Sequence, residues 1–156
     1  MTEEDAKREA ARQEYEAQTT EAHARIQYQI DYSKTLLNGL MLGNGGAILA
    51  LLTFIGNTAS KVAPSTMQCA FGLYAIGLAF VFVAYIGAFF SQYFFYNGAQ
   101  AMAWNAQAEA LGSEPQYDIL TDQRRGTISM GVGVVFCFLS LISFICGSVS
   151  ALDALT

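Results

Sequence analysis

Few residues in this chain could carry chemistry, and they are poorly placed for it. There is one histidine, His23, and there are three cysteines, Cys69, Cys137 and Cys146, among 156 residues. A single imidazole cannot supply both axial ligands of a bis-histidine haem. It also cannot make a zinc site without thiols or carboxylates brought from elsewhere. The cysteines lack Cys-x-x-Cys spacing and all fall in long uncharged runs, where a thiol acts as a small apolar residue. Cys69 and Cys146 are expected near the same end of two neighbouring segments, which leaves a disulfide between them open. No Ser-His-Asp or Cys-His set can be assembled in those runs, and neither a P-loop nor Gly-x-Gly-x-x-Gly occurs. The expectation is a protein that is not an enzyme, with no catalytic residue, no metal and no cofactor beyond bound lipid.

The elements that would have to position these groups are set by charge. Residues 35–60, 62–108 and 126–152 contain no Asp, Glu, Lys, Arg or His. About 20 apolar residues, rising 1.5 Å each, cross a hydrocarbon core of roughly 30 Å, so each run is long enough. A backbone in lipid must satisfy its own hydrogen bonds, which makes all three runs helical. The predicted fold is an all-α integral membrane protein of one domain, 1–156, with three transmembrane helices at 35–57, 66–96 and 126–150. A short outer loop, 58–65, and a tail, 151–156, complete one side. Long cytoplasmic helical extensions complete the other.

Residues 3–34 read as the first extension, an amphipathic helix continuous with the first span. Thr2 is a candidate N-cap, and Glu3, Glu4 and Asp5 complement the helix dipole. Glu3/Lys7, Glu4/Arg8, Arg12/Glu16 and Glu21/Arg25 pair at i,i+4, and the segment has no Gly or Pro. Ala11, Tyr15, Ala22, Ile26 and Ile30 form a thin apolar stripe, with Ala10, Ala17 and Ala24 on another line. Both stripes are weaker than a Leu/Ile heptad seam. The second span is expected to start at Ser65 or Thr66, after a turn containing Pro64. It should extend past the membrane through 97–111 and end at Gly112, with Pro115 following. Gln100, Asn105 and Gln107 make that extension too polar for lipid. Arg124 and Arg125 should precede the third span.

Basic residues fix the expected sidedness. Five lie before residue 35, Arg124 and Arg125 lie between spans two and three, and only Lys61 falls in the remaining loop. By the positive-inside rule, 1–34 and 97–125 are cytoplasmic and the C-terminus is outside. Lys34, Arg124 and Arg125 act as cytoplasmic anchors. The acidic start, without a basic n-region, predicts that the first span is its own insertion signal. Eight acids against five bases in 1–34 disfavour nucleic acid, which calls for clustered Lys and Arg. The small outer loop and tail cannot enclose a substrate.

Specificity inside the spans should come from small and amide residues. Asn44 lies ten residues after Lys34, about 15 Å deep. Lipid would leave its amide unpaired, so it must face a helix or water. Asn38, Gly39, Gly43 and Gly46 accompany it, and Gly39/Gly43 and Ser143/Gly147 have small-xxx-small spacing. Gly72, Ala75, Gly77, Ala79, Ala84, Gly87 and Ala88 in span two, with Gly131, Gly133, Ser140, Ser148 and Ser150 in span three, add small faces. Phe89, Phe90, Tyr93, Phe94, Phe95 and Tyr96 form an interfacial aromatic belt. The resulting expectation is a non-enzymatic bacterial inner-membrane scaffold, accessory subunit or assembly factor. It would act by helix packing, in contact with membrane lipid, as a homo-oligomer or a subunit of a larger complex. The alternative is an oligomeric pore lined by Asn38, Asn44 and the span-three serines.

Overall fold

The computed structural model describes residues 3–58, 64–114 and 116–154. All regular structure among them is helical: α1 (Glu3–Thr58), α2 (Pro64–Ala110) and α3 (Ile119–Asp153). Each contains a stretch long and apolar enough to cross a membrane: Ile26–Asn57, Ser65–Asn105 and Ile119–Asp153. The chain divides into two compact units, 1–38 and 39–156.

The first unit is a single helical stretch. Ile26, Tyr28, Tyr32 and Leu36 are exposed on it and Ile30 is half-buried. Lys34 pairs with Asp31 at 3.9 Å, both well exposed, a contact of little energetic weight. Thr2 lies outside the described residues, as do the side chains of the four i,i+4 ion pairs and of most of the alanine stripes. Ala24 of those stripes is exposed. Gly43–Gly46, in the second unit, are helical.

The second unit is an up-down-up arrangement of three helices. Along α2 the buried positions include Met67, Ala70, Tyr74, Gly77, Val81, Ala84, Gly87 and Ser91, in steps of three or four. On α3 they include Gly126, Gly133, Ser140 and Gly147, a strict period of seven. Leu40, Asn44, Ala47, Leu51 and Phe54 take the same steps on α1, buried or half-buried. A 3.5-residue period keeps one seam facing its partner under left-handed supercoiling. At one end, Leu51, Met67, Ala70 and Tyr74 form an apolar cluster, joined by Ile48, Phe54 and Phe144.

Two element starts differ from the sequence expectation. Pro64 does not sit in the turn; it is the first residue of α2, where its fixed φ and missing N–H are tolerated. The third helix begins at Ile119, so Arg124 and Arg125 lie within it and do not precede it. Asp118 causes this: its side chain accepts from the N–H groups of Leu120 (3.0 Å) and Thr121 (3.3 Å), satisfying two free donors of the first turn. At the end of α2, Gly112 adopts φ +75° and Ser113 N–H donates to Ala108 C=O at 2.8 Å, a Schellman closure. Pro115 lies outside the described residues.

Candidate functional site: the polar seam of the helical bundle

At mid-bundle polar groups are buried among apolar ones, and the exterior is apolar. Asn44 and Ser140 are fully buried, and Ser91 and Ser143 nearly so. Leu42, Leu49, Phe82, Phe89, Phe138 and Ile145 are exposed. Water-soluble bundles distribute these residues the other way round. The Asn44 amide donates to Ser140 Oγ at 3.1 Å and to Leu40 C=O one turn back at 3.0 Å. Its Oδ1 is buried and accepts no hydrogen bond. That oxygen lies against the α carbon of Gly77, where a Cβ would overlap both it and Asn44 Cγ. The contact is a Cα–H···O approach of the type found where helices cross closely. Asn44 thus links all three helices at one level.

Glycines set how closely α2 and α3 approach. A Cβ on Gly87 would stand 2.9 Å from Gly133 N and 3.0 Å from Ser129 C=O, both backbone atoms. The crossing is therefore backbone against backbone. Above and below it glycines accept rings. Gly147 receives Tyr74, 3.0 Å from a notional Cβ, and Gly126 receives Phe95 at 2.8 Å. Tyr74 also reaches Ser148, with 3.0 Å between their hydroxyl oxygens. Ser148 donates its own hydrogen to Phe144 C=O at 2.9 Å, so Tyr74 is the donor of the pair.

The structure sorts the residues expected to pack. Gly43 meets the Phe144 ring, 3.6 Å from a notional Cβ. Asn44, Ser143 and Gly147 are buried. Gly39 and Gly46 are exposed with nothing within 4 Å of a notional Cβ, so the Gly39/Gly43 pair does not act as one close-approach motif inside the bundle. Asn38 is exposed but has an interaction partner. Gly72 and Gly131 have open surroundings, and Ala75 and Ala79 are exposed. The small faces of spans two and three are thus narrower than their composition suggests. Gly126 was missed altogether. Its signal was the seven-residue spacing it shares with Gly133, Ser140 and Gly147. The three cysteines are free thiols, with Cys69 and Cys146 both exposed.

The aromatic run is two-sided. Phe89, Phe90, Tyr93 and Tyr96 are exposed, while Phe94 and Phe95 are half-buried. Phe90 stacks on Phe94, centroids 6.3 Å apart, and the Arg125 guanidinium lies 5.9 Å from the Phe94 centroid, within cation–π range. Arg124 is exposed. Beyond the belt, Asn105 organises the α2–α3 connection. Its Oδ1 accepts from Gln116 and Tyr117 N–H at 3.1 and 3.0 Å, and its Nδ2 donates to Tyr117 C=O at 2.9 Å. The Asp118 carboxyl is held below its ordinary pKa, chiefly by the Thr121 hydroxyl, then by the Thr121 and Leu120 N–H groups, with the Arg125 charge adding to them.

This arrangement offers helix–helix recognition. Among the described residues no three His, Cys, Asp or Glu side chains converge on a metal position. Comparisons with protein-family models, curated proteins and solved structures returned no match.

Proposed function

We propose that the chain is a multi-pass integral membrane protein that acts without catalysis, as a scaffold, accessory subunit or assembly factor. It would work by helix packing, as a homo-oligomer or within a larger complex of the bacterial inner membrane. One observation carries the reading: large apolar side chains such as Leu42, Leu49, Phe82, Phe138 and Ile145 are exposed along the outside of the helices. Such an exterior calls for lipid or other helices as its solvent. The basic residues favour a cytoplasmic N-terminus and an external C-terminus, which gives the long extensions 3–34 and 97–111 the role of partner contact.

The polar groups are committed inside one protomer, because Asn44 donates to Ser140 and faces Gly77. This favours packing over a pore lined by those residues. Native mass spectrometry of the complex from mild detergent tests the proposal. A scaffold co-purifies in fixed stoichiometry with itself or a partner, and the association is lost on deleting residues 2–30. A pore instead collapses the membrane potential on expression, and Asn44→Leu abolishes that collapse.

A further inference from the structure

We propose that the cleft where the α2–α3 connection folds back onto α2 binds an organic cation of the quaternary-ammonium class. The cleft is a half-open depression of about 350 Å³, and Tyr96, Asn97, Gln100, Trp104, Tyr117, Asp118 and Asp122 are among the residues that line it. Trp104 and Tyr117 form a corner, with centroids 4.9 Å apart and planes inclined by 45°. Both rings are exposed, as is Tyr96. The faces of such rings are electron-rich and attract cations, most strongly those with diffuse charge and a thin hydration shell. Among the described residues no lysine or arginine lines the cleft.

The polar groups narrow the ligand class. Asp118 is occupied by the Leu120 and Thr121 N–H groups and the Thr121 hydroxyl. The Tyr96 hydroxyl accepts from Gln100 at 3.2 Å. Asp122, half-buried in the first turn of α3, supplies the counter-charge. Ring faces dominate this lining, beside one available carboxylate and the Asn97 and Gln100 amides, whereas a metal ion calls for a full shell of oxygens. The ring faces suit a trimethylammonium group, which needs no hydrogen bond. Asn105 holds the backbone of Gln116 and Tyr117 in place, so the wall is built before any ligand arrives. Free choline-like cations and a phosphatidylcholine headgroup share this chemistry.

Trp104 is the sole tryptophan, so its fluorescence reports on the cleft in the full-length protein. In a non-ionic detergent, tetramethylammonium chloride should change the emission saturably. Sodium chloride at equal ionic strength and the uncharged analogue 3,3-dimethylbutanol should not. Asp122→Asn and Tyr117→Leu should each weaken binding about tenfold, while Asp122→Glu and Tyr117→Phe retain it. Circular-dichroism melts without ligand should match across the variants. In phosphatidylglycerol nanodiscs the response should persist. Its loss in phosphatidylcholine discs identifies a lipid headgroup as the occupant, and its persistence there identifies a free cation. An equal response to sodium or dimethylbutanol overturns the proposal, as does unchanged affinity in Asp122→Asn.

Discussion

At the residue scale, Asn44 and the glycines facing it decide how the three helices meet. Gly77 has no room for a methyl group, because its notional Cβ overlaps the Asn44 amide. Gly77→Ala should therefore destabilise the bundle by about 1–3 kcal/mol in thermal unfolding in detergent. Gly131→Ala, with open space around it, should be neutral or stabilising by up to about 1 kcal/mol, since alanine is the better helix former. Equal effects at the two positions would contradict this account of the crossing. Ser140→Ala leaves the Asn44 amide with Leu40 C=O alone, and a cost of about 0.5–1 kcal/mol is expected. A double-mutant cycle with Asn44→Ala should recover a coupling of similar size. The need for Asn44 to find a partner was legible in the sequence, because an amide amid uncharged residues is costly when unpaired. Ser140 was not legible as that partner, since it lies 96 positions away and any serine of α3 would have served equally well on composition.

At the element scale, charge-free length was enough to locate three helices. Finer registers required spacing. The seven-residue recurrence of Gly126, Gly133, Ser140 and Gly147 marks the face of α3 that packs, whereas small-residue content alone also pointed at Gly131, which does not. The helix α3 starts seven residues before the expected span, because span reasoning stops at the last charge whereas a helix starts at its cap, here Asp118. That cap gives a pH prediction. The folded-state pKa of Asp118 is lowered, so its contribution is complete above the ordinary aspartate range, about 3.9, and is lost as pH falls through the lower folded value. The amide shifts of Leu120 and Thr121 should move with a midpoint below the ordinary value, and Asp118→Asn should abolish the movement. A midpoint above about 4 would contradict the assigned hydrogen bonds.

For the whole molecule, the proposed function rests on three helices whose exteriors carry many large apolar side chains while a few amide and hydroxyl groups are buried among apolar ones. Three helices cannot hide all of that apolar surface from solvent, and lipid or further helices must cover the rest. The same physics that made the architecture readable conceals the partner, because exposed Leu, Ile and Phe suit acyl chains and foreign helices alike. Sidedness depends on Lys61 against seven other basic residues, and one labelling experiment in sealed cells tests both insertion and orientation. With Cys69, Cys137 and Cys146 replaced by alanine, single probes Ala10→Cys, Lys61→Cys and Leu120→Cys are treated with a membrane-impermeant maleimide. Only the probe at 61 should be modified until the cells are lysed, after which all three should react. Modification of 10 or 120 in intact cells, or recovery of the protein in the soluble fraction, would contradict the account.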